Sequence, residues 1–282
     1  MVLTDGSLYA SDKYALLYDL RDIEISSPAF VYNEDAIAEV RKFCEIMRNN
    51  YRVYTAGQSA SSIHVHVGAG SSGFSFETLR NIAAIIWAFG PQLEELYALQ
   101  RTKSVHCKNL WSNTTLSNIF QLKIGKDGAN ISPHLIHGLN MIKETKTVSD
   151  IIGAEQNGGL LSKGGQNSLA YKFNNLSEGR SVTPKTAESK RTIEFRQHEG
   201  SLDPEEIEQW VAVCVGIVHF ADLVKSDKLF SFLKSCLTRQ KLSTADVLEA
   251  LKMPMAAYFW GKKIQKRVQE SDSSVSGSVA SM

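Results

Sequence analysis

The segment RTIEFRQHEG, residues 191–200, sets Ile193 and Phe195 among charged and polar neighbours. Read as a strand, it turns alternate side chains to opposite faces, so Ile193 and Phe195 share one face. Thr192, Glu194, Arg196 and His198 then share the other. The apolar face suits a core. A row holding a carboxylate, a guanidinium and an imidazole suits either water or chemistry.

Three further segments repeat the pattern. In SSIHVHVG, residues 61–68, Ile63, Val65 and Val67 oppose His64 and His66. In RDIEISSP, residues 21–28, Ile23 and Ile25 oppose Asp22, Glu24 and Ser26, and in AYKFNN, residues 170–175, Tyr171 and Phe173 oppose Lys172 and Asn174. A single strand of this kind is most simply a half-solvated one. Four together collect histidines, carboxylates, an arginine, a lysine and an amide, an inventory suited to metal ions and phosphates. A metal-dependent hydrolase built on the His-x-His strand is the competing use, and it needs a third ligand, for which His198 is the available histidine.

Around these strands the chain reads as an ordinary globular protein of 282 residues, 43% hydrophobic, with a formal net charge of +1. Its 31 basic and 30 acidic residues give no electrostatic case for nucleic acid or an anionic membrane as partner. No apolar run has bilayer length and the start lacks a signal-peptide pattern, so a cytoplasmic location is expected. The four cysteines are far apart without metal-knuckle spacing, and Cys44 and Cys214 fall in apolar helical patterns.

Helices are expected after Asn33, after Ser75 and after Asp203, where Pro204 stands at the first helical position and Glu206 completes a capping box. Gly90-Pro91 should break the second of these. A shorter helix starts after Ser243, and the Ser-rich residues 269–282 are expected to lack regular structure. Residues 103–170, rich in Gly, Asn, Ser and Lys, read as loops. GAGSSG at Gly68, Gly70 and Gly73 fits a dinucleotide-binding fingerprint, but His64 and His66 would break the two-sided burial of its first strand. The fold class expected is α+β: an antiparallel sheet with helices packed on one face.

The segments DGSL (5–8), IEISSP (23–28), IHVHVG (63–68), WAFGPQLEELYALQR (87–101), YKFNNL (171–176) and RTIEFRQHEGSLDPEEIEQWV (191–211) resemble the fungal branch of the amidoligases. These are carboxylate-amine ligases related to glutamine synthetase and glutamate-cysteine ligase. The resemblance implies one catalytic domain over residues 1–268, with a curved antiparallel sheet of the glutamine synthetase type and helices on its outer face. It also implies ATP and Mg2+ or Mn2+ as cofactors, and small-molecule or peptide carboxylates and amines as substrates. By this comparison His64, Glu194, Glu24 and Asp5 match metal ligands, His66 lies beside the nucleotide, and Arg196 lies near the transferred phosphate. Lys172, Asn174, Arg191 and His198 fall on or beside the same strands as nucleotide or substrate contacts, Arg191 with Glu194 and Arg196 in the catalytic set. Such families usually carry an E-x-E strand ahead of the D-x-S segment, which this chain lacks before Asp5. That departure makes a catalytically impaired homologue, or a fragment, the alternative expectation.

Overall fold

The computed structural model describes residues 1–4, 23–53, 61–102, 104, 107–119, 132–153, 159–162, 169–173, 176, 191–238 and 242–279. Strands β1 (Val2–Thr4) and β2 (Ile23–Ile25) pair antiparallel as a two-stranded sheet of their own. Ile23 and Ile25 are exposed, contrary to the core role that alternation suggests, because β2 contributes nothing to the main sheet. Helix α1 (Glu34–Asn50) follows, with the Asn33 side chain accepting from the Ala36 amide at 2.9 Å. Its stripe buries Ala36, Cys44 and Met47 but leaves Phe43 exposed.

Strand β3 (Ser62–Gly68) leads through a 3-10 turn at Gly70–Ser72 into α2 (Phe76–Ala88). Gly70 and Gly73 adopt φ of 67° and 68°, which side-chain-bearing residues rarely tolerate. The glycines therefore serve a turn, and β3 pairs antiparallel, which removes the dinucleotide-fold reading. Helix α2 is capped by Ser75, whose hydroxyl accepts from the Thr78 amide at 3.0 Å. It ends before Gly90, which opens α3 (Gly90–Glu94) as a separate helix.

Helix α4 (Leu99–Thr102) precedes the span expected to be loops, and among the described residues of that span lie three short helices, α5 (Leu110–Asn113), α6 (Thr115–Ile119) and α8 (Val148–Ile152), and a longer one, α7 (Ser132–Glu144). In α7 the helical signal was present as Leu135, Leu139 and Ile142 at spacings of four and three, all buried. Gly138 obscured it. A Cβ there would lie 2.4 Å from the Trp87 indole, so the glycine permits the close crossing of α7 and α2.

Strands β4 (Tyr171–Lys172) and β5 (Thr192–Glu199) complete a three-stranded antiparallel sheet in the order β3-β5-β4. The chain closes with α9 (Pro204–Leu223), α10 (Ser226–Thr238), α11 (Thr244–Ala250) and α12 (Pro254–Val279), the last reaching well into the Ser-rich end for which no regular structure was expected. Among the described residues no helix is long and apolar enough to cross a membrane.

Helix α2 is central, packing against α7, α9 and α10, and its residues from Ile82 to Ala88 are fully buried. Burying each large apolar side chain contributes about 2–3 kcal/mol. Asn81 is equally buried and fully used: its amide donates to the carbonyls of Ala221 (2.9 Å) and Val224 (2.8 Å), and its oxygen accepts from Ser226 Oγ (2.7 Å). A polar residue thereby ties α2 to the α9–α10 junction without an unpaired group. Helix α9 packs on β3, α1 and α12, placing Trp210, Val213 and Cys214 in the core with Ile193 and Phe195.

Candidate active site

The mixed sheet row begins with register. His66 stands opposite Glu194 on one side of β5, and Lys172 stands opposite it on the other. Opposed residues in an antiparallel sheet share a face, so three separated segments deliver their charged side chains together. Glu194 Oε1 lies 3.2 Å from His64 Nδ1 and 3.3 Å from Arg196 Nε, and Oε2 lies 3.7 Å from Lys172 Nζ. The Glu194 side chain is only 7% exposed. A carboxylate that deep is costly to bury unless such partners surround it.

His64 retains 32% of its side-chain exposure, yet its pKa falls to about 4. Desolvation is the largest cause, followed by the Arg196 guanidinium, with Glu194 pulling the other way. The imidazole is therefore neutral near neutral pH and keeps a lone pair, as a metal ligand must. Arg196 and Lys172 together outweigh the charge of Glu194, so this face suits an anionic ligand such as a phosphate.

The other expected residues scatter. His66 Nδ1 lies 3.1 Å from Thr192 Oγ1, on the same face as Glu194. Arg191 Nη1 donates to the Ser71 carbonyl at 3.2 Å, over the glycine turn at the end of the sheet. Glu24 is exposed on β2, where Ser26 Oγ donates to it at 3.4 Å, and the structure does not bring it to Glu194. Asp5 and Asn174 lie outside the described residues.

His198 corrects the alternation. Between the pairs Ile63–His198 and Val65–Phe195, β3 supplies only His64 while β5 supplies both Arg196 and Gln197. This bulge shifts the pleat by one residue, so His198 shares the core face of Ile63 instead of the face of Glu194. It is fully buried, with ring centroids 5.4 Å from Trp210 and 5.7 Å from Trp260. The bulge thus removes the third imidazole that a His-x-His hydrolase would use.

Sequence reasoning missed Arg101. Buried at 8% exposure on α4, it donates to the carbonyls of Arg196 (2.8 Å) and Gln197 (3.3 Å), the residues of the bulge. Its four-residue helix carries no periodic signal, so only the presence of a bulge could have pointed to it. The capping box at Glu206 also fails to form. Asp203 caps α9 through the Glu205 and Glu206 amides at 3.0 and 3.4 Å, but the Glu206 carboxylate turns to His198 and Lys263.

Residues 1–124 match the family model described as "Putative amidoligase enzyme". No curated protein and no solved structure matches the chain. The matched span contains His64, His66 and Arg101, while Lys172, Glu194 and Arg196 lie beyond it and join it through the sheet. Over residues 1–124, then, the chain is similar to the family described as "Putative amidoligase enzyme".

Proposed function

We propose that the chain is an ATP-dependent carboxylate-amine ligase working through an acyl phosphate, with Mg2+ or Mn2+. The observation carrying this reading is the convergence of His64, Arg196 and Lys172 on the Glu194 carboxylate. In such a reaction a carboxylate oxygen takes the γ-phosphoryl group and ADP leaves. The amine nitrogen then attacks the acyl carbon, phosphate departs and the amine loses a proton. No protein nucleophile is needed, so catalysis is positioning and charge stabilisation.

The donor set fits a divalent ion. His64 Nδ1 and Glu194 Oε1 are 3.2 Å apart, near the ~3 Å between neighbouring ligands on an octahedral ion with bonds of about 2.1 Å. His64 and Glu194 would hold it, and a bound ion would supply Lewis-acid neutralisation of phosphate charge. Arg196 and Lys172 are placed to hold phosphoryl oxygens, with His66 flanking the nucleotide. Under this reading the three strands belong to a curved sheet of the glutamine synthetase type.

The test is to supply ATP, Mg2+ and a panel of carboxylates and amines to the protein. Amine-dependent ADP release that Glu194→Ala abolishes is expected. ADP release indifferent to both amine and Glu194→Ala would count against the ligase. A second reading rests on Glu24 standing apart from the cluster on its own ribbon. With a thinner carboxylate set, the chain would bind nucleotide without turnover, and calorimetry showing Mg·ATP binding with no ADP formed would favour it.

A further inference from the structure

The far end of β5 carries a second ion-pair cluster. Glu206 Oε1 lies 3.3 Å from His198 Nε2 and is ion-paired with Lys263, while Oε2 accepts from Ser201 Oγ at 3.1 Å. Next to it, Glu199 accepts from the Ala98 amide at 2.9 Å through Oε2, and its Oε1 is paired with Arg267 at 3.2 Å. His198, Glu199 and Glu206 present donor atoms within 4.8 Å of one another, a spacing a metal could use. Lys263 and Arg267, both from α12, already neutralise the two carboxylates, so the cluster is closed by the protein's own cations.

Its position gives it a different use. His198 immediately follows the bulge at Arg196 and Gln197, and it faces the core only because the bulge shifts the pleat. Without the bulge, strict alternation would carry His198 to the Glu194 face, which Arg196 takes in either case, and the irregular backbone at Arg196 and Gln197 that Arg101 holds would be gone. Three attachments hold the distorted segment. Arg101 takes the carbonyls of Arg196 and Gln197, Ala170 accepts from the Arg196 amide at 2.9 Å, and the His198 ring is fixed from beyond. That ring packs against Trp210 and Trp260, with Nδ1 2.7 Å from the Glu199 carbonyl and Nε2 facing Glu206. Nδ1 reaches the Glu199 carbonyl while Nε2 stands beside the Glu206 carboxylate without closing a hydrogen bond, so turning His198 outward would empty its place between Trp210 and Trp260 and strip Glu206 of a neighbour, a costly change.

We infer that Glu206 is a positioning residue: with Lys263 it holds His198 inward, locks the Arg196–Gln197 bulge and so fixes Arg196 beside Glu194. The inference rests on the ligase reading only for what Arg196 then does, since the lock itself concerns the strand. It makes α12, through Lys263, a structural determinant of the site at the other end of β5.

The test uses the full chain with Glu206→Gln, and Lys263→Met as a second variant should the first not fold. Asp203→Ala serves as a control that weakens the same helix start without touching His198. Hydrogen exchange at residues 194–198 should quicken roughly tenfold or more in Glu206→Gln, as loss of a hydrogen bond to a charged group implies. Calorimetric affinity for Mn·ATP should fall about tenfold, the usual effect of a residue that orients a ligand-bearing side chain. Asp203→Ala should loosen the start of α9 and leave both readouts unchanged. The lock is overturned if exchange at 194–198 is unchanged in Glu206→Gln and Lys263→Met, or if Asp203→Ala reproduces both effects. Quickened exchange in a protein that binds no Mn·ATP at all would sustain the lock and remove the ligase reading.

Discussion

Glu194 and Glu206 are two carboxylates attached to the two ends of one strand, and their surroundings are opposites. Around Glu194 two cations, Arg196 and Lys172, answer one carboxylate and leave the face positively charged. Around Glu206, His198, Lys263 and the Ser201 hydroxyl fill both oxygens, and Glu199 is answered by Arg267. The first cluster has charge left to offer a ligand. The second has none, and its contacts tie elements of the fold together. Between them lies the bulge, which gives the two ends of β5 opposite faces.

The comparison breaks first where the closed end is emptied. Trp260 is fully buried and edges the His198 ring, so Trp260→Ala should cost about 3–5 kcal/mol in urea denaturation. A cost below about 1 kcal/mol would mean that α12 does not help to close the core. At the open end, Glu194→Ala should lower amine-dependent ADP formation about a hundredfold while the protein stays folded by circular dichroism. Equal loss of folding would make Glu194 a structural residue like Glu206.

A finer distinction is acid sensitivity. Burial alone would raise the Glu206 pKa, but the hydrogen bonds from His198 and Lys263 pull it from 4.5 down to about 2. The folded state thus binds this proton more weakly than the unfolded state does. The stabilisation from Glu206 is complete above about pH 4.5 and is lost as pH falls towards about 2. Glu206→Gln should flatten the melting temperature against pH across that window, and an unaltered slope would remove the pairing. Next in size, Asp203→Ala should cost about 1 kcal/mol of thermal stability through the lost cap of α9. The smallest effect belongs to the exposed pair Lys266–Glu270 at 3.9 Å, where Lys266→Ala should change stability by less than about 0.5 kcal/mol.

Local chemistry was legible in the sequence where a single turn or pleat governs it. Asn33, Ser75, Asp203 and Ser243 cap the helices their positions suggest, because an N-cap acts within three residues of itself. Ile193 and Phe195 lie in the core and Glu194 opposite them, since alternation holds through that part of β5. Cys44 and Cys214 are buried free thiols, as their apolar spacing implies. The α7 helix was readable too, but one glycine needed for helix packing concealed it.

What alternation could not supply was its own interruption. A bulge depends on the partner strand's register, so the inward turn of His198 and the diversion of Glu206 from its cap were decided by tertiary pairing. The same holds for Arg101, whose acceptors lie where the ladder is broken, and for Lys263 and Arg267, which reach Glu206 at the start of α9 and Glu199 on β5 from 57 and 68 residues further along the chain. The sequence by itself determined the charged inventory of each strand, the helix starts and the apolar faces, because those follow from spacing along the chain. Only the tertiary structure decided that Glu194 gathers His64, Arg196 and Lys172 while Glu24 stays on a separate ribbon, because register across strands is a property of the pair.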